Sequence, residues 1–162
     1  MKKLVVILLL SVIVLDLPLW AGLGSNRALY IGGTVSAIPT KAEGSLFTDD
    51  PSSARFEWQN GKWDLPYRRV SSLAYGQHAG RRIGATVAWG VTTLGVMALP
   101  MLFSKKRRHY LTVEYVDDSG ASQAAIFELG KDAIRTTLKS LEVRTGKRVE
   151  YEDDEARKAG NK

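Results

Sequence analysis

The chain has 162 residues, no cysteine and a formal net charge of +6. The absence of cysteine excludes disulfides, thiolate metal sites and cysteine nucleophiles, and the length allows one domain with its own core. Residues 81–108 contain six basic residues and no acidic residue, so the excess positive charge surrounds one apolar run. This distribution favours a membrane-anchored segment over a nucleic-acid surface, which would carry basic residues in a stripe with aromatic residues between them.

Residues 1–23 have the layout of a secretory signal peptide. Two lysines follow Met1, an apolar run covers 4–15, and the helix breaker Pro18 precedes small residues at 21 and 22. An uncleaved anchor is the alternative, because about 20 apolar residues can span a bilayer. Either outcome predicts an exported, membrane-associated protein on the periplasmic or another extracytoplasmic side of the cell envelope.

Short apolar runs that alternate with polar residues predict antiparallel strands after residue 25. Asn60-Gly61 separates two such runs and predicts a hairpin turn whose residues accept positive φ. A second hairpin turns at 117–120. The predicted strands cover 28–35, the neighbourhood of Leu46, 55–58, 62–65, 70–75, 111–115 and 125–129.

One amphipathic helix is predicted over residues 131–145. Ile134, Leu138 and Leu141 recur at i, i+4 and i+7, so one apolar stripe can pack on the sheet while Lys131, Arg135, Lys139 and Arg144 stay in solvent. Gly146 follows as a candidate C-cap. The remaining stretch, residues 150–162, is rich in charge and is predicted to be a disordered tail.

Several short strands followed by one C-terminal helix resemble the pleckstrin-homology-like superfamily, in particular its bacterial and GRAM-type members. The resemblance rests on Gly44-Ser45-Leu46, the run 63–75, the paired strands of 109–129 and the helix of 131–145. It implies a mainly β (α+β) fold over residues 24–149, in which a small, partly open antiparallel β barrel is capped by the helix and binds lipid headgroups or protein segments. The chain departs from the family in lacking a basic cluster between its first two strands, where Lys41 stands beside Glu43. Phosphoinositide recognition is therefore not implied.

An apolar insert at 80–106 interrupts this β domain. Residues 83–103 carry no charge, and as one helix they would be about 31 Å long, close to the thickness of the hydrocarbon core. A single crossing would separate strands that should pair, so we predict a helical hairpin that enters the lipid and returns. The predicted lipid contacts are Ile83, Val87, Trp89, Val91, Leu94, Val96, Met97, Leu99, Met101, Leu102 and Phe103, and the predicted headgroup contacts are Arg81, Arg82, Lys105, Lys106, Arg107 and Arg108.

Two other interpretations of the insert stay open at this point. In the first, an uncleaved leader and residues 83–103 form two transmembrane helices, with the basic residues 105–108 in the cytoplasm. In the second, the insert is a buried hairpin within a soluble homo-oligomer.

The sequence predicts no enzyme, metal or cofactor. His78 and His109 are the only histidines, and both flank the insert without a catalytic or metal-binding motif. Asp49-Asp50 and Asp117-Asp118 are interpreted as turn residues. The predicted function is a non-enzymatic, membrane-attached binding module that docks on lipid through the hairpin, with membrane lipid, a protein or a second copy as partner and no nucleic acid. The alternative is a structural or assembly protein of the envelope that oligomerises through the apolar segment.

Overall fold

The computed structural model describes residues 26–77, 108–152 and 154–161. Eight strands and two α-helices lie in these ranges. In chain order they are β1 (Arg27–Gly33), β2 (Ala42–Phe47), β3 (Ser53–Trp58), β4 (Gly61–Pro66), a 3₁₀ turn (Tyr67–Arg69), β5 (Val70–Gly76), β6 (Tyr110–Val116), β7 (Ser122–Leu129), α1 (Ile134–Thr145), β8 (Val149–Tyr151) and α2 (Asp154–Asn161).

The strands form one sheet in the order β4-β3-β2-β1-β7-β6-β5-β8. The mainly β class with a C-terminal helix is confirmed. The predicted antiparallel barrel needs correction, because the sheet is mixed and is not closed: β8 returns after α1 and adds in parallel to β5. The sheet is nevertheless strongly curved, since Trp63 of β4 packs against Tyr115 of β6 with ring centroids 5.7 Å apart.

The β3–β4 hairpin forms where the sequence predicts it, with a different turn. Gln59 and Asn60 make the connection, and neither has a positive φ. Gly61 is already in β4, paired with Trp58. A Cβ on Gly61 would lie 2.7 Å from Cζ2 of the Trp58 indole, so glycine is required here by the close approach of a ring and not by φ.

The core lies between the inner face of the curved sheet and α1. Tyr30, Phe56 and Phe127 form its aromatic centre, with exposures of 1 % or less and ring centroids 5.1 to 6.5 Å apart. Burial of one such side chain contributes roughly 1.5–3 kcal/mol to the free energy of unfolding. The predicted helix stripe is confirmed, since Ile134, Leu138 and Leu141 are all buried in this core.

The C-terminus of α1 is also confirmed. Gly146 has a φ of 69°, in the left-handed region, and its N–H donates to the carbonyl oxygen of Glu142 at 3.0 Å. This geometry favours glycine, and it redirects the chain toward β8.

Strands on both sides of the long apolar segment pair with each other. Gly76 at the end of β5 is opposite Tyr110 at the start of β6, and Leu73 is opposite Val113. This pairing confirms that the strands before and after the apolar segment belong to one sheet. The alternative with a single crossing by residues 83–103 is wrong, because it would place β5 and β6 on opposite sides of a membrane.

The predicted lipid-docking function is corrected by the helices that the structure contains. Within the described ranges, α1 and α2 have 12 and 8 residues, and no helix there is long and apolar enough to cross a membrane. A lipid-inserted helical hairpin is therefore wrong as an account of these residues, and so is envelope assembly through transmembrane helices. The predicted hairpin itself, at 80–106, lies outside the described residues.

The C-terminal stretch is ordered where disorder is expected from its charge. Val149 and Tyr151 of β8 pair with Leu73 and Tyr75 of β5. Ala156 of α2 is fully buried in the core cluster. The burial of a few small and aromatic residues therefore attaches the C-terminal stretch to the domain, although its other residues are charged.

Candidate functional site

Arg108 is the one predicted headgroup contact within the described residues. Its Nη1 donates to Oε2 of Glu128 at 2.7 Å, and this carboxylate raises the pKa of the guanidinium. Arg108 thus binds the start of β6 to β7. The other predicted contacts, Arg81, Arg82, Lys105, Lys106, Arg107 and the lipid-facing residues of 83–103, lie outside the described residues, as does His78.

His109 is part of a hydrogen-bonded pair next to Arg108. Its Nδ1 lies 2.6 Å from the hydroxyl oxygen of Tyr75, and the two rings are parallel. Burial lowers the pKa of the imidazole, and the positive charge of Lys131 lowers it further. A neutral imidazole whose Nδ1 accepts a hydrogen bond from the Tyr75 hydroxyl agrees with these surroundings, so His109 stabilises the junction of β5 and β6.

The two aspartate pairs are turn residues, as predicted. Oδ1 of Asp50 accepts hydrogen bonds from the N–H and hydroxyl of Ser52 at 2.7 and 2.6 Å. Oδ1 of Asp117 accepts from the same groups of Ser119, and these bonds lower its pKa to about 2. In the described ranges, no cluster of three or more His, Asp or Glu side chains could hold a metal ion.

The surface that stands out from the core is the outer face of α1, defined here as Arg135, Thr136, Lys139 and Val143. These residues lie opposite the buried stripe, because successive helix residues are 100° apart. Val143 is 75 % exposed, the highest value among the large apolar side chains of the described residues. It borders a shallow depression of about 550 Å³ that is also lined by Ser140 and Arg144.

The side of α1 next to this face is fixed to the loop between β2 and β3. Ser140 Oγ donates to the carbonyl oxygen of Thr48 at 2.8 Å. Arg144 donates to the carbonyl oxygen of Asp49 at 2.6 Å and lies over the ring of Tyr67. The predicted solvent position of Arg144 is thus only partly correct, since it is half-buried in these contacts. These contacts connect α1 to the β2–β3 loop along the side next to the outer face.

The outer face belongs to a positively charged part of the chain. Residues 131–148 contain six basic and two acidic residues. Lys139 is exposed, and its ammonium group has no ion-pair partner within the described part of the chain. An apolar side chain surrounded by basic groups can bind a segment that combines an apolar residue with carboxylates.

One feature of the sequence indicates this surface: an apolar residue, Val143, lies on the polar side of the predicted helix. On a helical wheel, Val143 lies among Thr136 and Lys139, on the side that solvent should occupy. One exposed valine is ordinary by itself. Val143 lines a shallow depression together with Ser140 and Arg144, which also contact residues 48 and 49 of the β2–β3 loop.

Comparisons with known proteins give no identification. No protein-family model matches the chain. No curated protein matches it at a significant level. The resemblance to pleckstrin-homology-like domains and the expected export through residues 1–23 therefore stay predictions.

Proposed function

We propose that this domain is a non-enzymatic binding module that takes an acidic protein segment across the outer face of α1. The observation that carries the proposal is the 75 % exposure of Val143 within a depression lined by basic side chains. Protein interfaces place an apolar anchor at the centre and polar or charged groups around it. The outer face has this arrangement on the scale of one helix.

The charge of the surface determines the kind of partner. Among the described residues, Arg135, Lys139 and Arg144 line the depression, and no acidic side chain does. Carboxylates on a partner would face these groups across the rim, which raises the association rate and disfavours basic partners. The binding surface lies on a helix that is already formed, so little backbone conformational entropy of α1 is lost when the segment binds.

A peptide titration tests the proposal. The full chain is titrated with acetylated, amidated Glu-Glu-Leu-Glu-Glu, and binding is followed by amide chemical shifts. We expect saturable shifts at residues 135–144 that weaken as salt is added. The Lys-Lys-Leu-Lys-Lys peptide is the matched probe and should not bind.

Charge-reversal variants locate the binding site. Lys139→Glu should weaken Glu-Glu-Leu-Glu-Glu binding by about tenfold, since it replaces attraction with repulsion at the rim. Lys62→Glu changes the same charge on exposed β4 and should leave the affinity unchanged. Equal losses in the two variants would show only a response to net charge and would contradict the assigned surface.

A further inference from the structure

β4 is the longer of the two edge strands of the sheet. Within the described residues it pairs with β3 alone, and no backbone hydrogen bond joins it to a strand on its other side. Gly61, Lys62 and Asp64 are exposed. The opposite edge, β8, has only three residues, and α2 packs beside it through Gly160 and Tyr151. Since alternate residues of an edge strand direct their N–H and C=O groups away from the paired neighbour, β4 can add one further strand.

The outward side of the β3–β4 hairpin carries four charges that alternate in sign. Arg55 lies opposite Asp64, and Glu57 lies opposite Lys62. Arg55 contacts both carboxylates, since its Nε lies 2.6 Å from Oδ1 of Asp64 and its Nη1 lies 3.7 Å from Glu57. On the edge itself the charges are less well paired. In the described part of the chain, Lys62 has no ion-pair partner, and Oδ2 of Asp64 accepts no hydrogen bond.

We propose that β4 pairs antiparallel with β4 of a second copy of this chain, around a twofold axis at Trp63. In this register Lys62 lies opposite Asp64 of the second copy, and the same pair recurs on the other side of the axis. The row of charges across β3, β4 and the two strands of the second copy then reads Arg55, Asp64, Lys62 and Glu57. Every neighbour in the row has the opposite sign, and opposite charges on facing strands stabilise a sheet.

The charges also select this register over its neighbours. An axis at Lys62 would place this lysine opposite itself, and an axis at Asp64 would place that carboxylate opposite itself, which is destabilising. A slip of one residue would place Lys62 opposite Trp63 or Leu65, whose side chains are on the core side of the sheet. Charges on an edge strand usually oppose pairing with other chains. Here the order of the two signs makes the edge complementary to its own copy.

Trp63 supplies an apolar residue at the centre of the proposed contact. Its ring packs against Tyr115 and Phe127 and is only partly buried within one chain. In the pair it lies opposite Trp63 of the second copy, at the centre of the interface, where aromatic side chains contribute most to binding. Pro66 lacks an N–H and so limits the pairing to residues 61–65. This surface does not include the outer face of α1, so the two proposals can fail independently.

Two charge variants of the full chain test the pairing, first alone and then mixed. Lys62→Asp makes both edge charges negative, and Asp64→Lys makes both positive, so each variant should associate with itself at least about tenfold more weakly than the unmodified chain. An equimolar mixture again places opposite charges against each other and should dimerise. Lys147→Asp changes the same charge at another exposed site and should leave the association unchanged. Sedimentation velocity measures all five samples.

Three results would overturn the proposal. They are an unmodified chain that stays monomeric, variants that associate as strongly as the unmodified chain, and a mixture that associates no better than its components. The second result would assign self-association to another part of the chain, such as its apolar segments.

Amide hydrogen exchange gives a readout that needs no substitution and is unaffected if a variant fails to fold. In the unmodified chain, exchange within residues 61–65 should slow as the protein concentration rises, because pairing protects amides that face solvent in the monomer. Exchange along α1 should not depend on concentration. Slowing along α1 with none in β4 would show that a second copy contacts a different surface, and it would overturn the proposal.

Discussion

Two surfaces lie outside the main core, and they differ in exposure. The outer face of α1 has Val143 at 75 % exposure among basic residues, whereas the side of β6 and β7 that faces away from the core has Ile126 at 2 % exposure beside Thr112. Both contain a β-branched apolar residue on the side of its element that faces away from the core. The comparison shows that apolar character alone does not identify a free binding surface, since the more apolar of the two surfaces is buried.

The largest effect should come from placing a charge on each surface. Ile126→Asp introduces a carboxylate into a covered apolar site and should lower the free energy of unfolding by more than about 3 kcal/mol. Val143→Asp places the same group in solvent and should change it by less than about 0.5 kcal/mol. Urea unfolding of the full chain measures both values. Similar values for the two variants would remove the contrast between the surfaces.

A smaller effect should follow from changing the residue that ends α1. Gly146→Ala forces a side chain into the left-handed region at φ 69° and should cost about 1 kcal/mol of stability. Gly130→Ala is the matched control, because its φ is not positive and its new Cβ would make only ordinary contact, 3.5 Å from the carbonyl oxygen of Arg27. Thermal unfolding compares the two. A greater loss for Gly130→Ala would show that the end of α1 is not limited by backbone conformation.

The smallest effect should be a pH dependence of stability at the junction of β5 and β6. Burial lowers the pKa of His109 below its ordinary value of 6.5, so the unfolded chain binds the proton more readily than the folded chain. The contribution of His109 to stability is therefore present above pH 6.5 and is lost as the pH falls through and below this value. Melting temperatures between pH 7.5 and 5 should show the decrease. His109→Gln should reduce it, while an unchanged slope would contradict the role of the imidazole.

Much of the sheet and all of the helix stripe could be predicted from local patterns. The alternation around Phe56 and the i, i+4, i+7 spacing of Ile134, Leu138 and Leu141 are direct consequences of strand and helix geometry. β8 and α2 could not be predicted in this way, because Val149 and Ala156 are isolated among charged residues. Their burial depends on the β5 edge and on the core cluster, both of which are tertiary features.

The candidate site was less accessible to sequence analysis than the fold. The net charge of the sequence is concentrated in the six basic residues of 81–108. Of these six, Arg108 lies within the described residues, and it forms an ion pair with Glu128. The acidic residues that follow 148 offset much of the positive charge of residues 131–148, so the net charge of the C-terminal part does not reveal this basic region. The contacts of Arg144 with Asp49 and Tyr67 attach this second basic region to the rest of the domain, and they depend on the tertiary fold.

Amide chemical-shift mapping of the Glu-Glu-Leu-Glu-Glu peptide on the full chain compares the two surfaces in one experiment. If the outer face of α1 is the free surface, saturable shifts appear at residues 135–144 and the amides of β6 and β7 stay in place. Saturable shifts at Thr112 and Ile126 with none along α1 would show that the outward side of β6 and β7 receives the partner, which is the opposite of what the exposures of Val143 and Ile126 indicate.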